Sequence, residues 1–159
     1  MSESPEPIDP DVDLRDPVQR REWTAHRWVL PVIALGGVVG ATARHALELL
    51  WPAVPGAIPW ATLTTNVAGS VLIGVLMVYV VEVGGSHPLL RPFAGVGILG
   101  GFTTFSTYAV QSRGLWGEEP LLSLTYVLIT PLLTVIGVLL GHAMARAAWR
   151  PERESESIG

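Results

Sequence analysis

Hydrophobic residues in this chain come in long unbroken blocks. They show neither the two-residue alternation of a half-buried strand nor the single stripe of a surface helix. Residues 60–81, 92–112 and 120–145 contain no Asp, Glu, Lys or Arg. Each block exceeds the roughly 20 apolar residues of helix that cross a hydrocarbon core about 30 Å thick. A fourth block, 28–50, is uncharged through Ala43 and then carries Arg44, His45 and Glu48 near its far end. The pattern predicts four transmembrane helices joined by a proline-rich loop (51–59), a loop at 82–91 and a short loop at 113–119. The fold class is an all-α membrane protein. Its membrane domain spans 28–146, between an acidic, disordered N-terminal tail (1–27) and a polar C-terminal tail (147–159).

Composition agrees. Only 15% of the 159 residues are charged, against roughly 25% in an ordinary soluble domain. A soluble enzyme, a nucleic-acid-binding domain and a disordered hub are excluded. There is no cysteine, so disulfides, thiolate metal sites and cysteine nucleophiles are excluded too. The four histidines are scattered, with no pair at metal-ligand spacing. Nothing pairs a nucleophile with a base, and the chain is not expected to be an enzyme.

Charge sets the expected orientation. Four spans put both termini on one side, with Arg15, Arg20, Arg21, Arg27, Arg91, Arg146, Arg150 and Arg153. Only Arg44 and Arg113 fall on the other. The positive-inside rule then places both termini in the cytoplasm of a cell-membrane protein. Tryptophans 28, 51, 60, 116 and 149 sit at span ends, where an amphipathic ring favours the interface.

Within the spans, glycines recur at GxxxG spacing (Gly36/Gly40, Gly97/Gly101, Gly137/Gly141), which predicts close helix packing. Polar residues are the costly ones. Asn66 reads either as an interhelical hydrogen bond or as a functional donor. The third span holds Gly100 and Gly101 followed by Thr103, Thr104, Ser106 and Thr107. Glycine and β-branched threonine make a poor helix. One reading is a break at mid-membrane that bares carbonyls for a hard cation such as Na⁺. The other is a continuous helix whose hydroxyls bond back one turn. Tyr126, Thr130 and Thr134 share one helix face. Arg44 either snorkels or supplies positive potential at a pore mouth. No carboxylate lies at mid-span, which disfavours a proton-coupled exporter of cations or drugs. A non-conducting scaffold is the third alternative.

Three stretches, Gly36-Gly-Val-Val-Gly-Ala-Thr-Ala-Arg44, Thr62-Leu-Thr-Thr-Asn66-Val-Ala-Gly-Ser70 and Gly100-Gly-Phe-Thr-Thr-Phe-Ser-Thr-Tyr108, resemble the Fluc (CrcB) family of fluoride channels. The resemblance implies four helices per subunit with the third broken, an antiparallel dimer, and fluoride pores along its interface. It implies a central Na⁺ on the carbonyls of Gly100 and Thr103. It further implies a fluoride pathway of Asn66, Phe105, Ser106, Thr107, Tyr108, Tyr126, Thr130 and Thr134, with Arg44 in the vestibule. The implied function is passive fluoride export from the cytoplasm, relieving fluoride toxicity. Tyr108 stands where the family commonly has phenylalanine. The eight-to-two arginine bias suits a fixed orientation, so the partner is either a second copy or an oppositely oriented paralogue.

Overall fold

The computed structural model describes residues 28–83 and 87–149. Both predicted tails lie outside these residues, except that 147–148 continue the last helix and Trp149 caps it. Helix α1 is Val29–Leu50. Helix α2 is Trp60–Val78, and its end widens to π-winding over Tyr79–Val83. Helix α3 is π-wound over Arg91–Leu99 and closes with the α-turn Gly100–Phe102. Helix α4 is Phe105–Glu118 and α5 is Pro120–Ala148. Taking 91–118 together, four segments are long and apolar enough to cross a membrane.

Several boundaries differ from the sequence reading, and π-winding carries the second span to Val83, two residues past the predicted 81. The stretch 113–119, expected as a loop, is helical through Glu118, leaving Glu119 as the sole link to Pro120. Leu115 explains this. It is buried against Leu63 and Tyr126, so α4 must continue past Ser112 to bring it there. Proline at the first position of α5 suits a helix start, where its missing N–H costs nothing. Helix α5 also runs to Ala148, three residues beyond the predicted 145.

The molecule is inverted relative to a soluble protein. Thr62, Thr65, Ser123 and Thr130 are almost fully buried, while Leu35, Val38, Leu128 and Leu139 are more than 60% exposed. Apolar side chains facing outward on every long helix need lipid or protein around them, not water. This is a multi-pass membrane protein.

Helices α1 and α3 form one pair, α2 and α5 another, and α4 packs on α5. Both pairs meet through glycine. A Cβ on Gly36 would sit 2.5 Å from the Phe93 carbonyl, and one on Gly97 would sit 2.8 Å from Gly36 Cα. A Cβ on Gly40 would collide with the Ile98 carbonyl, and one on Gly141 with that of Val71. At the helix ends, Trp51 stacks on Trp60 at 6.4 Å, and Tyr79 packs on Trp149 at 5.6 Å. Glu82 joins the ends of α2 and α5 through Arg146 (2.9 Å) and His142 (3.5 Å).

Candidate functional site

The site is built around Thr103 and Thr104. Both take extended backbone (ψ 157° and 124°) between the α-turn at Gly100–Phe102 and the start of α4. In a continuous helix the Thr104 N–H would bond the Gly100 carbonyl, and the Thr107 N–H the Thr103 carbonyl. Here both donors go elsewhere. Thr104 N–H donates to Asn66 Oδ1 (2.8 Å), and Asn66 Nδ2 donates back to the Thr104 carbonyl (3.0 Å). The asparagine side chain thus mimics a neighbouring strand for one extended residue. Thr107 N–H donates to Thr104 Oγ1 (3.1 Å), so Thr104 serves as the N-cap of α4. The two glycines themselves stay helical. Gly101 is there for packing, since a Cβ would lie 2.7 Å from the Gly37 carbonyl.

The carbonyls of Gly100 and Thr103, named from the resemblance as Na⁺ ligands, are therefore both released from helical bonding. Carbonyl oxygens are hard ligands and the donor set fits a hard cation. Arg44 Nη1 donates to the Thr103 carbonyl at 3.3 Å, using one of its two lone pairs. Thr103 Oγ1 bonds back to the Leu99 carbonyl (2.9 Å), so that hydroxyl is spent locally. Gly100 lies on the exposed surface of the single chain.

A cavity of about 350 Å³ opens beside the interruption. Six of the residues that the resemblance implies for the site line it: Asn66, Thr103, Phe105, Tyr108, Thr130 and Thr134. Ser70, Ile73, Thr104 and Pro131 line it as well. Ser70 was legible in principle, since it stands one turn after Asn66 on the same face. Phe105 is 80% exposed, its ring 5.7 Å from that of Tyr108, which in turn lies 5.3 Å from that of Tyr126. Thr130 is buried and its hydroxyl has no partner. Thr134 donates to the Pro131 carbonyl (2.8 Å).

Gly100, Arg44, Ser106, Thr107 and Tyr126 do not line this cavity. Ser106 is exposed, with Oγ 3.4 Å from Thr104 Oγ1. Tyr126 sits fully buried behind Tyr108, its hydroxyl unpartnered. Thr107 receives a hydrogen bond from Thr104 Oγ1 (3.0 Å) and faces a second cavity of about 150 Å³. That cavity is also lined by Glu48, Thr62 and Gln111. Sequence reasoning gave Thr62 and Gln111 no role. Both present a buried oxygen without a hydrogen-bond partner, which only packing reveals. Glu48 reaches Arg44 Nε at 3.6 Å, one turn away on α1.

Residues 31–142 match the family described as CrcB-like protein, Camphor Resistance (CrcB). The chain belongs to the CrcB family. It is 47% identical over 134 residues to "Fluoride-specific ion channel FluC 1" of Streptomyces coelicolor, covering 82% of this chain and 87% of the relative. It is also 47% identical over 124 residues to "Fluoride-specific ion channel FluC 2" of Streptomyces avermitilis, covering 77% and 78%. The same organism has "Fluoride-specific ion channel FluC 3", 48% identical over 90 residues, covering 57% and 44%. CrcB proteins are ion channels, and this chain is not an enzyme.

Proposed function

We propose that this chain conducts fluoride passively out of the cytoplasm, through a pathway that includes the 350 Å³ cavity. The observation that carries the reading is the wall of that cavity. It offers uncharged donors (Asn66, Ser70, Thr130) and aromatic rings, and no carboxylate lines it. Fluoride is small and strongly hydrated, so a pathway must replace its water with donors. One N–H of Asn66 is committed to Thr104, which leaves the second to donate. Ring edges are electropositive, so Phe105 and Tyr108 meet an anion favourably edge-on. Thr107, bonded to Thr104 of the first cavity, faces the second, where Thr62 and Gln111 extend the polar route; Arg44, paired with the Glu48 that lines this second cavity, stands at the vestibule.

The working unit is an antiparallel dimer. Gly100 and Thr103 supply two released carbonyls per chain, too few to enclose a cation alone. Two chains meeting at the interruption would together supply four, enough to hold a central Na⁺. Bound there, the ion would add a fixed positive charge beside the pathway. On this reading the two segments 91–102 and 105–118 are one span broken at mid-membrane. Both termini face the cytoplasm. The arginine bias favours an oppositely oriented paralogue as the partner, and the two numbered relatives in one Streptomyces support that option over a second copy.

Two experiments test this. Cells stripped of their own fluoride export and expressing this chain, with its paralogue where one is needed, should hold less internal fluoride than the same cells expressing Asn66→Asp. Equal accumulation would reject the reading. Labelling of both termini on intact cells should occur only after permeabilisation; equal labelling from both sides would reject the fixed orientation.

A further inference from the structure

Helix α5 contains a proline at its middle, and its consequence reaches another helix. In an α-helix the N–H of residue 131 would bond the carbonyl of Val127. Pro131 has no N–H, and its ring crowds that same carbonyl. An unpaired carbonyl at membrane depth is unfavourable, and such groups find partners on neighbouring helices. The partner here is Tyr108 of α4. Its hydroxyl donates to the Val127 carbonyl at 2.8 Å, across 19 positions of sequence. Tyr108 and Pro131 both line the 350 Å³ cavity. The hydroxyl of Tyr126, the next ring in the stack, has no such partner.

We infer that Pro131 is a positioning residue for Tyr108: it creates the acceptor that holds the phenol hydroxyl away from the ion, so that Tyr108 presents only its ring to the cavity. The inference rests on the fluoride reading above. The chemistry gives it a direction. A free phenol O–H is a far stronger donor to an anion than a ring C–H edge. A charge-assisted bond of that kind would hold fluoride in the cavity and delay its release. With the hydroxyl committed to Val127, that trap is removed while the ring keeps its place between Phe105 and Tyr126.

Pro131→Ala tests this cleanly, because alanine is the better helix former and the substitution supports α5. The alanine N–H competes with the phenol for the Val127 carbonyl, and without the proline ring the helix closes on that carbonyl and weakens its bond to Tyr108. Fluoride efflux from liposomes should slow by about tenfold, the size of one charge-assisted hydrogen bond at the low end. Adding Tyr108→Phe to Pro131→Ala should restore most of the lost rate. A double variant as slow as Pro131→Ala alone would overturn the inference, since Pro131 would then act through helix shape. A Pro131→Ala rate equal to or above wild type would overturn it as well. Thermal unfolding gives a readout independent of transport. Tyr108→Phe should lower the midpoint more in the proline background than in the alanine background; equal effects in both would contradict the pin. Wild-type protein that releases no fluoride even with its paralogue would reject the channel reading, and the unfolding cycle would still decide whether Pro131 sets the Tyr108 bond.

Discussion

The seam between α1 and α3 and the seam between α2 and the interrupted segment are built in opposite ways from the same apolar blocks. In the first, side chains are absent where the helices touch, and Gly36, Gly40, Gly97 and Gly101 bring main chain against main chain. In the second, side chains replace missing main-chain bonds, and Asn66 takes both backbone groups of Thr104. The contrast separates packing from chemistry. Lipid gives little hydrophobic drive between helices, so the glycine seam earns its stability from close contact. The polar seam tolerates non-helical backbone because protein buries it beside a cavity.

The largest expected effect is on the glycine seam. Gly40→Val places a branched side chain on the Ile98 carbonyl and should abolish recovery of monodisperse protein in detergent. Even Gly40→Ala should cost about 1–3 kcal/mol by overpacking. Gly114→Ala, with nothing within 4 Å of its Cβ, should be neutral or mildly stabilising. If Gly114→Ala were as damaging as Gly40→Ala, the packing account would be wrong.

Next comes the polar seam. Asn66→Ala leaves the Thr104 N–H and carbonyl unpaired, at about 1–3 kcal/mol for each buried group. It should both lower the unfolding midpoint and stop transport. Phe105→Ile sharpens the comparison, because Phe105 is 80% exposed in the single chain and carries little of its packing. Transport should fall at least tenfold, by loss of the ring edge, with the unfolding midpoint nearly unchanged. The smallest effect belongs to the helix ends. Glu82→Gln removes a half-exposed ion pair with Arg146 and should shift stability by no more than about 1 kcal/mol. A larger shift would mean that the α2–α5 ends hold the bundle together more than the close approach at Gly141 does.

How much of this was legible in the sequence differs between the two seams for the same reason. Glycine spacing is a local pattern, and it predicted close helix packing without naming the pair, which the fold supplies as α1 against α3. Span positions came from uncharged runs, which lipid enforces over whole helices. The end of α4 did not, because Leu115 stays helical through a contact with Leu63 and Tyr126 that no local pattern encodes. At the polar seam the candidate residues were visible as expensive ones, but their partners were not. Asn66 makes an interhelical bond, and its partner is Thr104, a residue of extended backbone. Likewise, Thr103 bonds back one turn and still sits at the interruption. Pro131 drew no attention as a residue type that merely disturbs helices. Its consequence lies on α4, reached only when the chain is folded.

The most direct test of the central claim is fluoride efflux from liposomes holding the purified protein, with its paralogue where one is needed, and chloride efflux run in parallel. The account predicts fast fluoride release with no chloride release, and loss of the fluoride signal in Phe105→Ile at unchanged fold. Well-folded protein that passes neither ion with any partner, or passes both alike, would contradict it.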